Sequence, residues 1–199
     1  YIEPIQLGWK PLVATWGEHF VEKYPRIAEM LRKWVMDICE VALPFIRDEC
    51  REAPGIPSVD ANLVASFLRM LSTFISPQHG FKLAEPERGD SSPKAGGASK
   101  VDKKLQGLAR VYCAFAAVWS LGANLHEDSR PKFQEFLRGT LQRFCPEVPE
   151  SDLYSVCVDD EEANFIDVGK VVPEFKYDAE VPFFNILVPT AETTLQKLL

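Results

Sequence analysis

Hydrophobic residues recur at helical spacing along most of the chain as far as Phe144, and the period changes after Pro146. The pattern is densest between Leu108 and Phe144. Leu108, Val111, Tyr112, Phe115, Val118 and Trp119 recur every third or fourth position, and Ala114, Ala116 and Ala117 fill most of the remaining face. A helix that apolar has to be buried. Gly122 stops it, and Asp128 or Ser129 is placed to cap a second helix with Pro131 in its first turn. Phe133, Phe136, Leu137, Leu141 and Phe144 give that helix one apolar side. The two should form an antiparallel hairpin in which Trp119 faces Phe133 and Leu137.

Upstream, Pro11 opens a helix with Leu12, Trp16, His19 and Phe20 on one face. Pro25 opens a longer one, in which Ile27, Met30, Leu31, Trp34, Val35, Ile38, Val41, Ala42 and Phe45 keep register. Pro44 lacks a backbone donor and should kink or end its last turn. Ala53 to Pro57 is a break, after which Ser58 is the expected cap of a helix burying Leu63, Val64, Phe67, Leu68, Leu71, Phe74 and Ile75 until Pro77. Lys82 to Lys104 holds two prolines, three glycines and ten charged residues, and reads as a flexible insertion. Past Pro146 and Pro149, residues 153–158, 163–168 and 183–188 read as short strands, with Asp159 to Glu162 turning between the first two. The expected fold is mainly α, a helical bundle of five or six helices between Pro11 and Phe144 with a few short β-strands in the C-terminal tail. The domain proper should end near residue 148, followed by a tail over 149–199.

Composition narrows the function. The chain has 199 residues and a net charge of −7, and 46% of it is hydrophobic, enough for one real core. From Glu147 to Glu180 eleven acidic residues face only Lys170 and Lys176, which leaves no basic face for nucleic acid. No run approaches the roughly 18 apolar residues of a membrane span. Five scattered cysteines without a C-x-x-C pair read as reduced thiols rather than zinc ligands. Val156 to Glu161 has the form of a strand ending in magnesium-binding carboxylates, but no G-x-x-x-x-G-K-[ST] loop accompanies it, so a solvated acidic turn is expected. His19, His79 and His126 have no nucleophile or carboxylate at a recognisable spacing, so no catalytic residue is assigned.

One family resemblance is carried by motifs in order along the chain. The run VWSLGANLHEDSRPKFQEFLR is similar to the W-S-[LI]-G-G … R-x-K-F-D-x-F-L-R stretch of dynein heavy chains, in the helical lid of the second AAA+ module of the motor ring. Tyr1-Ile2-Glu3-Pro4 with Leu7-Gly8-Trp9-Lys10-Pro11 resembles the family's Y-[MI]-E-P … L-G-W-x-P, and Val188-Pro189-Thr190-Ala191-Glu192-Thr193 its V-P-T-x-[DE]-T. Departures occur at Gln134, Leu195 and Gln196, where the family has aspartate, arginine and tyrosine.

The resemblance implies an internal piece of a longer motor protein. Residues 1–10 would end the large subdomain of an AAA+ module, 11–148 would be its lid, and 149–199 the connector to the third module. It implies no catalysis in this segment, with ATP and magnesium bound elsewhere in the parent. Val188, Pro189 and Thr190 would touch nucleotide held by the following module, and Arg130 or Arg110 would sense phosphate. Partners would be the neighbouring AAA+ modules, with intermediate chains, light chains and microtubules reached through the rest of the parent. The setting would be the cytoplasmic cytoskeleton, with a cilium or flagellum favoured. From the residues alone the alternative is a helical protein-interaction scaffold, although no repeat of 34 to 45 residues supports a solenoid.

Overall fold

The computed structural model describes residues 8–53, 58–81, 100–175 and 188–198. The motif at residues 1–7, residues 82–99 of the expected insertion and the expected strand at 183–187 lie outside them. Helices α1 (Lys10–Lys23), α2 (Pro25–Glu49), α3 (Asp60–Phe74), α4 (Lys100–Gly122) and α5 (Arg130–Leu141) form the bundle. Strands β1 (Val156–Asp159) and β2 (Asn164–Asp167) follow, and α6 (Ala191–Leu198) comes last.

Helix α4 is the axis of the fold because its sequence from Val111 to Val118 leaves it no polar side. Every residue from Val111 to Val118 is buried, and α2, α3, α5 and both strands pack around it. Alanines at 109, 114, 116 and 117 have no exposure, so neighbouring helices can approach its backbone closely. Helix α1 closes the far side against α2 and α3. The connection after α2 is pinned to the turn after α4: Ala53 N donates to Asn124 O at 2.8 Å, and His126 N to Arg51 O at 2.8 Å.

The mainly α reading stands, with corrections of detail. Helix α1 buries Val13, Gly17 and Phe20, while Leu12 is 39% exposed and His19 also faces out. Its inward face is rotated from the one expected because Gly17 admits Arg32, whose Cδ would lie 2.7 Å from any Cβ there. Pro44 does not end α2, which runs on to Glu49. Pro44 is exposed, Leu43 and Ile46 on either side are buried, and Phe45 stacks on Phe136 at 3.9 Å, so packing holds the last turn.

Neither expected serine cap operates within its own helix. Val59 is the residue at the N-cap of α3, and the Ser58 hydroxyl donates to Glu52. Ser129 does stand at the N-cap of α5, but its hydroxyl accepts from the Arg51 amide at 2.9 Å. Helix α4 begins at Lys100, inside the stretch read as an insertion up to Lys104. Trp119 is half-buried, with Tyr154 edge-on at 5.4 Å and Phe115 at 6.4 Å as its ring partners in place of Phe133.

The hairpin is antiparallel, with Val156 opposite Asp167 and Asp159 opposite Asn164. It lies on α4, and a short 3-10 turn at Val168–Lys170 carries the chain out of it and against α6.

Candidate functional site

Two sets of residues on this framework bear on function. The first lies where the tip of the hairpin meets the bundle. Tyr112 projects from α4, His79 from the 3-10 turn Pro77–His79, and Asp160 from the hairpin turn. The Tyr112 hydroxyl donates to Asp160 Oδ1, His79 Nδ1 lies 2.9 Å from Asp160 Oδ2, and Nδ1 and the hydroxyl are 2.7 Å apart. With a proton on His79 Nδ1 the carboxylate accepts twice, once from the imidazole and once from the hydroxyl. Phe74 stacks on the Tyr112 ring at 5.0 Å and fixes it. Burial pushes the Tyr112 phenol well above its ordinary range, and the Asp160 carboxylate adds to the shift. This tyrosine therefore stays protonated and serves as a donor, not as a base or nucleophile.

The expected acidic turn is confirmed in shape but not as wholly solvated. Asp159 Oδ1 accepts from the amides of Glu161 at 2.9 Å and Glu162 at 3.3 Å, closing the turn. Asp160 is committed to the bundle. Sequence reasoning missed this cluster because His79 and Asp160 lie 81 positions apart and Tyr112 reads simply as core. His126 pairs with Asp128 at 3.1 Å on the surface.

The second set is the residues singled out for nucleotide. Arg110 Nη2 donates to Glu147 Oε1 at 3.2 Å, tying α4 to the chain after α5. Arg130 Nη2 donates to Ala123 O at 3.2 Å, and its guanidinium lies 5.5 Å from the Tyr154 ring centroid. Its Nε, like that of Arg110, is buried without a hydrogen-bond partner among the described residues. Val188 is 50% exposed, Pro189 half-buried and Thr190 exposed. Thr190 caps α6 reciprocally: Thr193 N donates to Thr190 Oγ1 at 3.1 Å, and Thr190 N to Thr193 Oγ1 at 2.8 Å. The Thr190 amide is thereby used up. Arg110 and Arg130 lie on the bundle rather than beside residues 188–190 in sequence, and each is already engaged within the chain. Among the described residues no group of three or more His, Cys, Asp or Glu side chains is placed to hold a metal ion.

Comparison with known proteins agrees with the motif order. The family described as the dynein heavy chain AAA lid domain matches residues 28–167, from α2 through the hairpin. Human dynein axonemal heavy chain 6 is 28% identical over 199 residues, 97% of this chain and 4% of the relative. Mouse dynein axonemal heavy chain 2 is 24% identical over 97% of this chain and 4% of its own length. The 1-beta heavy chain of the flagellar inner arm I1 complex of Chlamydomonas reinhardtii is 25% identical, covering 97% of this chain and 5% of the relative. The chain thus spans about one twentieth of the length of these relatives. A helical bundle closed by a β-hairpin, matched from α2 to β2, belongs to the dynein heavy chain AAA lid domain family, and this chain is a segment of a dynein motor ring.

Proposed function

We propose that this segment is the lid of the second AAA+ module of its ring and the connector to the third, and that it passes ATP-driven movement from one module to the next. The observation that carries the reading is the family match across bundle and hairpin together with the V-P-T-x-[DE]-T motif following them at Val188. A helix buried as completely as α4 cannot shift against its neighbours without opening cavities, so the bundle moves as one body. The segment is mechanical. ATP with magnesium would be bound and hydrolysed elsewhere in the parent chain, where it supplies the free energy of the cycle.

On this reading the partners are the neighbouring modules of the same chain, with intermediate and light chains and minus-end-directed movement on microtubules belonging to the whole motor. The names of the relatives, axonemal, ciliary and flagellar, favour a cilium or flagellum. Val188 and Pro189 would cover nucleotide in the following module, with Thr190 setting the start of α6. Arg130 and Arg110 are the candidate phosphate sensors, and either would have to exchange its present partner, Ala123 O or Glu147, for phosphate.

The test is made in the parent ring. A Gly-Ser insertion between Phe175 and Val188 should preserve ATP turnover while lowering microtubule gliding velocity several-fold; unchanged velocity would mean that nothing is transmitted through this segment. Val188→Asp and Pro189→Gly should each weaken nucleotide binding at the third module by about tenfold, the loss of one apolar covering contact. Unchanged affinity in both variants would leave residues 188–190 a plain connector.

A further inference from the structure

We propose that the β1–β2 hairpin is a latched strap: Asp160, gripped by Tyr112 and His79, holds its tip to the bundle, and the held hairpin seats the outgoing helix α6. The inference rests on the reading of this segment as a transmitting lid, and it names the part that does the transmitting.

A two-stranded hairpin with four residues in each strand is not stable alone and has to be held by what it touches. At its base the hold is apolar. Leu153, Val156, Cys157 and Val168 are each at most 3% exposed, and Val168 N donates to Ser155 O at 3.0 Å. At its tip, where Val158, Ala163 and Phe165 pack only half-buried against the core, a polar hold is added. β2 is half-buried or exposed along its whole length, and among the described residues the Asp160 carboxylate is the tip's ionic link to the bundle. Gly107 of α4 lies under this end, its Cβ position 3.4 Å from the Ala163 methyl, so the tip rests close to the helix backbone.

The two carboxylate oxygens are held by different elements, α4 through Tyr112 and the 77–79 turn through His79. The Asp160 side chain is 41% exposed and that of His79 29% exposed, so water can replace their mutual contact once the tip lifts. A joint of that kind opens at modest cost, whereas the buried base does not. From the hairpin the chain passes directly into the Val168–Lys170 turn, and α6 lies against that turn. The path from α4 to α6 is thus continuous: Tyr112, Asp160, the hairpin, Val168, then the helix capped by Thr190 and Thr193.

Amide hydrogen exchange on the 199-residue chain, read at short times, tests the latch without a ring or nucleotide, so its outcome is independent of whether the lid reading holds. Asp160→Ala should speed exchange about tenfold across residues 156–170 and across 191–198, leaving 111–118 of α4 unchanged. Tyr112→Phe, which keeps the ring against Phe74 and removes only the hydroxyl, should do the same to a smaller extent. Glu161→Ala, in the same turn but with no side-chain partner among the described residues, should change neither region. Unaltered rates in the hairpin overturn the proposal, as does acceleration that includes α4, which would make Asp160 a general stabiliser. Acceleration of the hairpin with residues 191–198 unaffected overturns it too, because the strap would then seat nothing.

Discussion

Gly122 ends α4 for a reason that lies outside the helix. A Cβ there would stand 2.1 Å from the Tyr154 hydroxyl and 2.8 Å from the Phe133 ring, both closer than any real contact. The helix stops where two rings from later in the chain close over it. Gly122→Ala should therefore lower stability by about 1–3 kcal/mol through overpacking, read as a shifted urea midpoint at constant slope. An unshifted midpoint would mean that Tyr154 swings away freely. Arg138 shows the converse case, a charged residue that the helical pattern of α5 would leave outside. It is only 6% exposed, because its guanidinium donates to Pro149 O and, at 3.2 Å, to Ser151 O, binding the turn after α5 to the helix.

Elements are joined by a few charged groups at their ends. Arg47, near the end of α2, donates to Glu52 Oε1 at 2.8 Å and to Asp60 Oδ1 at 2.7 Å, so it spans the break to the start of α3. Partial burial works against the charge on Glu52, but the hydroxyl and amide of Ser58 and the Arg47 guanidinium outweigh it and hold the carboxyl below its usual value of 4.5. A depressed folded-state pKa contributes stability that is present above 4.5 and is lost as pH falls through the lower, folded value. Glu52→Gln should thus destabilise the chain by about 1–2 kcal/mol at pH 7, with the deficit shrinking below pH 4.5. Equal deficits at pH 7 and pH 3 in thermal melts would assign the effect to shape alone.

Across the whole molecule the five thiols report how completely the core is closed. Cys39, Cys113 and Cys145 have no exposure and Cys157 only 3%. Burial pushes Cys39 up to about 12 and raises Cys113 and Cys145 as well. Only half-buried Cys50 should react with an aromatic disulfide reagent in the native chain, the other four appearing on unfolding. Rapid labelling of two or more would show that the bundle opens. The helices were legible because each repeats its apolar residues with its own period, and burial against any neighbour rewards that pattern. The alanine-rich face of α4 announced the axis of the bundle, and the change of period after Pro146 announced the hairpin. The inward face of α1, the survival of α2 past Pro44 and the diversion of Ser58 and Ser129 to other elements were not legible. In each of these a partner outside the element supplied a contact stronger than the local preference. The polar cluster was hidden for the same reason. Sequence by itself determined that helices form, where the chain turns and which family it resembles, since these depend on neighbours within a few residues or on motif order. Tertiary structure alone decided that Tyr112, His79 and Asp160 meet, because no local spacing encodes a contact between groups brought together only when the hairpin folds back onto α4.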